Sequence, residues 1–244
     1  MQCLVLAAGL GSRLRSVSNG RPKPLMEICG KSILGWNLHL LRRFGFEHTF
    51  INLHYEANLV RATALKFCPD GLELSFSEEE TLLGTAGAAR RILPAVDDQL
   101  LVLYGDNLFN IDLDRFQAAH KQSNAVATIA LFDKNISPHT GIAGGHVVLG
   151  KAGQVSRFVE GASATTEPSL VNAGAYILER SVVESISEEG SIDFGRNVFP
   201  DMLSHDQEIA AHVIDENEFC LGLDTPESFE AAHRLVKEGK VVLL

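Results

Sequence analysis

The chain lacks any long hydrophobic run. Its longest, Cys3–Ala8 and Leu100–Tyr104, are strand-length, far short of the about 20 apolar residues a membrane-spanning helix needs. A basic leader with a cleavage site is also missing; an apolar strand starts at once, so no signal peptide is expected. Cysteine is scarce. Cys3, Cys29, Cys68 and Cys220 are scattered without paired spacing, which argues against a disulfide framework or zinc site and for reduced thiols in the cytoplasm. An excess of positive charge is absent too: the formal net charge is -10. Such a field repels polyanions and excludes nucleic acid as an expected partner, just as the short apolar runs exclude a membrane. The nine histidines are dispersed, so no His-rich metal site is expected. There are no repeats, low-complexity segments or long linkers.

What is present is a globular composition, with 244 residues of which 45% are hydrophobic. That length accommodates one large α/β domain or two small ones. Strands are expected at Gln2–Ala7 and Gln99–Tyr104, both buried, at His48–Leu53, and at Leu72–Phe76, whose residues alternate. They alternate with helices over Ser32–Phe44 (Leu34, Leu38 and Leu41 at helical spacing, Gly45 as stop), Glu56–Phe67 and Thr85–Leu93. Alternation of this kind predicts a mostly parallel sheet with helices on both faces. The second half is richer in strands: Ala125–Phe132, His146–Leu149, Val155–Val159, Ser169–Leu178, Ile209–Ile214 and Glu218–Leu221. Short helices are expected near Arg180–Ile186 and Phe194–Leu203. The last helix is punctuated by Thr225 as N-cap and Pro226 at its first position, with Phe229, Ala232 and Val236 on one face. The expected organisation is a single domain over 1–244, with a nucleotide-binding half at 1–135 and a β-rich acceptor-binding half with the closing helix at 136–244.

The loop after the first strand carries the most information. No acidic residue precedes Glu27, whereas Arg13, Arg15, Arg21 and Lys23 all do. On an acidic protein a locally basic, glycine-bearing loop suits a small anionic ligand, although a solvated charge run has the same composition. The low bulk of Ala7, Ala8 and Gly9 lets backbone amides approach a base or phosphate, at the strand end where open α/β sheets bind ligands. Two other phosphate loops are excluded. A dinucleotide fingerprint needs a third glycine where Leu14 stands, and a Walker A loop ending at Gly30-Lys31-Ser32 needs a glycine where Leu25 stands.

Taken together, several ordered segments resemble the nucleoside-triphosphate transferase family, and within it the sugar-1-phosphate nucleotidylyltransferases. They are Ala7-Ala8-Gly9 with Gly11, Arg13 and Leu14; Pro22-Lys23-Pro24-Leu25; Leu83-Gly84-Thr85-Ala86-Gly87; and Tyr104-Gly105-Asp106. They continue with Gly145-His146-Val147-Val148-Leu149, Gly153, Arg157-Phe158-Val159-Glu160, Val171-Asn172-Ala173-Gly174 and Asp224-Thr225-Pro226-Glu227. The closest look is to bacterial mannose- or heptose-1-phosphate guanylyltransferases, a likeness that the Asp193-Phe194-Gly195 and Phe199-Pro200 segment shares.

The resemblance implies a Rossmann-like three-layer α/β/α fold with a mostly parallel mixed sheet. It implies attack of an acceptor phosphate oxygen on the α-phosphorus of a nucleoside triphosphate, with pyrophosphate leaving. That oxygen is already ionised, so positioning and charge neutralisation dominate and no general base is needed. By the same resemblance Arg13 holds the β- and γ-phosphates, and Lys23 meets the α-phosphate and the acceptor phosphate. Asp106 binds Mg²⁺, a hard cation suited to carboxylate and phosphate oxygens. Leu6, Ala7, Ala8, Gly9, Gly11 and Ser12 line the nucleotide. Backbone groups of Gly84, Thr85, Ala86 and Gly87 read the base, with Thr85 also placed to cap a helix. Gly145, Glu160 and Asn172 contact the acceptor. A homodimer is a family-level expectation.

Three departures bear on that implication. The family glutamate is usually followed by a Lys-Pro whose lysine meets the acceptor phosphate; here Gly161-Ala162 follow Glu160. Arg21, Lys31, Arg157 and Arg196 are the candidates to replace it, and the sequence does not choose. The usual second metal-binding aspartate falls on Gly222, with Asp224 two residues on, so Asp224 is the expected second ligand. The proline usual in the first loop is missing from Arg15-Ser16-Val17-Ser18. The first two departures look more like cytidylyltransferases acting on phosphocholine-type or phosphonate acceptors. That reading, and a non-catalytic nucleotide-sugar sensor, stand beside the sugar-phosphate one.

Overall fold

A computed structural model describes residues 1–9, 20–140, 145–159 and 169–243. Its strands, in chain order, are β1 (Gln2–Leu6), β2 (Glu27–Ile28), β3 (Lys31–Ser32), β4 (His48–Leu53), β5 (Glu73–Glu78), β6 (Gln99–Tyr104) and β7 (Asn107–Asn110). They continue as β8 (Ala127–Asp133), β9 (His146–Leu149), β10 (Val155–Val159), β11 (Leu170–Glu179), β12 (Ile209–Val213) and β13 (Phe219–Gly222). The helices are α1 (Ile33–Arg43), α2 (Ala57–Lys66), α3 (Gly84–Arg91), α4 (Leu113–Ser123), α5 (Arg180–Ser185), α6 (Phe199–Ser204) and α7 (Pro226–Lys237). No helix among the described residues is long and apolar enough to cross a membrane.

Nine strands share one mixed sheet, which runs β10-β9-β11-β6-β1-β4-β5, with β8 on β11 and β12 on β8. The pairs β6-β1, β1-β4 and β4-β5 are parallel. In contrast, β11 runs antiparallel to β6 and to β8. This is the expected three-layer architecture. The sheet is buried on both faces because successive residues of its central strands feed opposite cores. Cys3 and Val5, Leu101 and Leu103, and Ala175 and Ile177 join the core under α1, α2 and α4. Leu4, Leu100 and Val102, and Tyr176 and Leu178 join the core under α3, α5 and α6. That is the period-2 geometry of a strand applied to continuous apolar runs. Each fully buried leucine or isoleucine contributes about 1.5–3 kcal/mol.

Two elements were not foreseen in the chain around 107–123. β7 pairs antiparallel with β13, from Asn107↔Gly222 to Asn110↔Phe219. α4 starts at Asp112, whose carboxylate accepts a hydrogen bond from the Arg115 amide at 3.0 Å. Leu113, Phe116 and His120 form its buried face. The helix expected over Phe194–Leu203 is also broken in two: Phe194–Val198 makes a single π turn, and a regular α-helix resumes at Phe199. At the end of the chain, the Thr225 side chain accepts from the Ser228 amide at 3.2 Å and caps α7, with Pro226 at its first position.

Candidate active site

The parallel strands β1, β4, β5 and β6 all finish on one edge of the sheet. The chain goes from β1 outward through β4 to β5, then returns to the other side of β1 as β6. A crevice opens at such a reversal, beyond the carboxyl ends of the strands. It holds a cleft of about 410 Å³ lined by strand-end residues Leu6, Asn52, Glu79 and Tyr104, together with Ala8, Gly9, Lys23, Gly84, Thr85 and Asp106. A second cavity, of about 330 Å³, lies beside it and contains Asn107, Gly145, Asn172, Gly174, Arg196 and Asp224. Thr85, Tyr104, Asp106 and Asp193 line both. Two compartments therefore meet at two carboxylates, Asp106 and Asp193.

Lys23 stands at that junction. It lies in a short 3₁₀ turn, Lys23–Leu25, between Pro22 and Met26, and is buried. Its ammonium is 3.6 Å from Asp106 Oδ2 and contacts Asp224 Oδ1 directly. Residues 201 positions apart thus place two carboxylates around one cation. Burial pushes the Asp106 carboxyl above its usual range; Lys23 pulls it back down and Asp224 raises it again. Among the described residues, no group of three or more His, Cys, Asp or Glu side chains is arranged to hold a metal. The carboxylate pair is the arrangement Mg²⁺ uses when phosphate oxygens and water complete its shell.

The Gly84–Gly87 turn is held against the segment before the π turn. The Ile192 amide donates to Leu83 O at 2.8 Å, and Ile192 O accepts from the amides of Ala86 (2.8 Å) and Gly87 (3.2 Å). Gly84 has φ +78°, and a Cβ there would lie 2.4 Å from Ile192 O. Only glycine fits both the left-handed backbone and the close approach. The structure separates the four residues. Gly84 and Thr85 line the cleft, whereas Ala86 is fully buried and the Ala86 and Gly87 amides are committed to Ile192. Thr85 does not cap α3; Leu83 occupies the N-cap position without a side-chain bond. The Thr85 hydroxyl instead donates to Asp193 Oδ1 at 3.1 Å and accepts from the Phe194 amide at 3.0 Å.

Other sequence-derived residues fall as follows. Leu6, Ala8 and Gly9 line the cleft. Ala7 does not; it is buried, and its amide donates to Asn52 Oδ1 at 2.7 Å. Gly145 and Asn172 line the second cavity and are joined by a 2.9 Å bond from the Asn172 amide to Gly145 O. The Asn172 side chain donates to the Tyr176 hydroxyl at 2.8 Å and accepts from the Gly174 amide at 2.9 Å. The β11-β8 register shifts between Asn172 and Tyr176, an irregularity of the kind that re-aims side chains beside a site. Gly222, at the position of the usual second aspartate, is paired with Asn107 in β13-β7, and Asp224 reaches Lys23 instead. Gly11, Ser12, Arg13 and Glu160 lie outside the described residues.

Sequence reasoning missed Asn52, Glu79 and Asp193 as lining residues. Asn52 Nδ2 donates to Glu79 Oε1 at 2.8 Å, and Glu79 Oε2 accepts from the Leu83 amide at 3.0 Å. This buried pair ties β1, β4 and the Gly84 turn together. Asn52 near the end of an apolar strand was the available signal; Glu79 is hidden in Glu78-Glu79-Glu80, which reads as a solvated run.

The nucleotidyl transferase family profile matches residues 2–237. The chain belongs to the nucleotidyl transferase family. Among its relatives, a UTP–glucose-1-phosphate uridylyltransferase of Synechocystis is 29% identical over 216 residues, covering 83% of this chain and 55% of the relative. A mannose-1-phosphate guanylyltransferase of Mycobacterium tuberculosis is 28% identical over 94% of this chain and 62% of its own length. The chain thus spans less than two thirds of both proteins. A D-glycero-α-D-manno-heptose 1-phosphate guanylyltransferase of Campylobacter jejuni is 26% identical, with 80% and 83% covered. Crystal structures of HddC from Yersinia pseudotuberculosis, one of them complexed with GMP-PN, share the fold with a TM-score of 0.80 at 23% identity, covering 96% of this chain and 99% of theirs.

Proposed function

We propose that this nucleotidyl transferase is a sugar-1-phosphate nucleotidylyltransferase, joining a nucleoside triphosphate to a sugar 1-phosphate and releasing pyrophosphate. The observation that carries the reading is the pair of cavities meeting at Asp106, with Lys23 between Asp106 and Asp224. The relatives' names, which all specify sugar 1-phosphates, support it. In this reading the first cleft takes the triphosphate and the second takes the sugar phosphate, within one domain over 1–244. The acceptor oxygen attacks the α-phosphorus where the two compartments join.

Asp106 and Asp224 are the residues to hold Mg²⁺, which supplies charge neutralisation at the reacting phosphates. Lys23, which contacts both carboxylates, would meet the α-phosphate when nucleotide is bound. Arg13 holds the β- and γ-phosphates, with Leu6, Ala8, Gly9, Gly11, Ser12, Gly84 and Thr85 around the nucleotide. Gly145, Glu160 and Asn172 face the sugar. The product is an NDP-sugar of the kind polysaccharide assembly consumes, made in the cytoplasm.

The test is Mg²⁺-dependent pyrophosphate release with four triphosphates crossed against hexose and heptose 1-phosphates and phosphocholine. Release with a sugar phosphate supports the reading and names the product. Release only with CTP and phosphocholine replaces it by a cytidylyltransferase; nucleotide binding without release replaces it by a sensor. Within the reading, Asp224→Asn is expected to cut turnover and weaken Mg²⁺ dependence. Unchanged values would remove Asp224 from the metal site.

A further inference from the structure

Arg21, Lys31, Arg157 and Arg196 are the four basic residues that could take over from the lysine missing after Glu160. Their positions separate them. Arg21, Arg157 and Arg196 are all exposed, but Arg21 and Arg157 line neither cavity. Lys31 lies over the Trp36 ring, 4.2 Å from its centroid. Arg196 lines the second cavity and is the only cationic side chain among the described residues to do so.

The charge balance of that cavity gives the placement its meaning. Asp106, Asp193 and Asp224 all line it. A phosphate monoester carries a charge of about −1.5 to −2 at neutral pH, so three carboxylates oppose its entry. Lys23 already serves Asp106 and Asp224 and lies on the wall of the other cleft. The segments 141–144 and 160–168, outside the described residues, read Gly-Ile-Ala-Gly and Glu-Gly-Ala-Ser-Ala-Thr-Thr-Glu-Pro and contain no lysine or arginine.

We propose that Arg196 binds the phosphate of the acceptor and so performs the task of the missing lysine. The proposal rests on the sugar-1-phosphate reading given above. A guanidinium is well suited to it, because its planar fork can donate two parallel hydrogen bonds to a phosphate. The backbone that presents Arg196 is firmly held. It sits in the π turn Phe194–Val198, whose Phe194 is buried, stacked on Phe199 at 5.6 Å and edge-on to Tyr176 at 5.3 Å. Single π turns within helices recur at functional sites. One residue before the turn, Asp193 is bonded to Thr85 of the nucleotide cleft. The acceptor's phosphate is thereby placed on a segment tied directly to the nucleotide's wall, which is what an attack across the junction at Asp106 requires.

The experiment compares wild type, Arg196→Ala and Arg196→Lys in two assays. Titration calorimetry measures binding of α-D-mannose 1-phosphate, with unphosphorylated mannose as control. Steady-state pyrophosphate release measures KM for each substrate separately. Arg196→Ala is expected to weaken phosphosugar binding and raise its KM about 10- to 100-fold, the worth of a charge-assisted pair. Triphosphate KM and thermal melting are expected to stay unchanged. Arg196→Lys falls between, and free guanidinium restores part of the loss in the alanine variant. Turnover whose acceptor KM is indifferent to Arg196→Ala overturns the proposal and leaves the function standing. Phosphosugar binding that depends on Arg196 without any turnover retains the site and overturns the function. No binding and no turnover overturns both.

Discussion

Replacing Gly84 by alanine separates backbone strain from steric collision at the edge of the nucleotide cleft. Gly84 has φ +78°, and its added Cβ would meet Ile192 O at 2.4 Å and the Ile192 C and N atoms at 2.8 Å. Gly153 provides the control: its φ is +85°, but nothing lies within 4 Å of its Cβ position. Both variants incur the left-handed penalty of about 1–2 kcal/mol, partly offset by about 0.4–1 kcal/mol from the stiffer unfolded chain. Gly153→Ala is thus expected to lose roughly 0–1.6 kcal/mol. Gly84→Ala adds an overpacking cost of about 1–3 kcal/mol, because its neighbour is backbone and cannot rotate away. Relief requires the Ile192 carbonyl to withdraw from the Ala86 and Gly87 amides, so the total expected loss is about 2–4 kcal/mol. Urea unfolding measures both, with a lower midpoint at constant slope as the signature of lost stability. Gly84→Ala is also expected to weaken nucleotide binding, since Gly84 and Thr85 line the cleft. Equal midpoint shifts for the two variants would refute the collision argument.

Thr85→Val removes the hydroxyl that links Asp193 Oδ1 to the Phe194 amide; a loss of about 1–3 kcal/mol is expected in the same urea assay, because a buried donor is left unsatisfied. His212 lies against Phe116 with Nε2 unpartnered, and burial pulls its pKa below the usual 6.5 of histidine, against the opposing pull of Glu218. The unfolded chain therefore takes up the proton first, so stability is full above pH 6.5 and falls as pH drops through the folded-state pKa. Melting curves at about pH 8 and about pH 5 should show this slope diminished in His212→Leu, and an unaltered slope would assign the acid sensitivity elsewhere. Among the thiols, exposed Cys29 is expected to react first with iodoacetamide. Burial pushes Cys3 up to about 12 and Cys220 higher still, so mass spectrometry should find both unmodified in the folded protein.

The sequence by itself determined the layers. Continuous apolar runs such as Cys3–Ala8 and Leu100–Tyr104 can be satisfied only by burial on both faces, and side-chain caps start α1, α4 and α7. β4, β6, β9 and β10 have the bounds their apolar pattern implies. α4 was not foreseen, although Asp112 as cap with Leu113, Phe116 and His120 on one face is a local signal for it. The short β7 was not legible, because Asn107–Asn110 becomes a strand only when β13 arrives to pair with it.

For the candidate site, spacing along the chain drew attention to Lys23, Asp106 and Asp224, but no local rule brings residues 201 positions apart onto one ammonium. Only the tertiary structure decided that Gly84 and Thr85 face the cleft while Ala86 and Gly87 are bound to Ile192. It alone decided that Glu79, outwardly one of a run of acids, is buried against Asn52, and that Arg196 rather than Arg21, Lys31 or Arg157 enters the second cavity. Periodicity depends on each residue's immediate neighbours and can be read from the chain. Convergence of charges depends on how strand ends and turns from distant segments are packed, and it exists only once they have met.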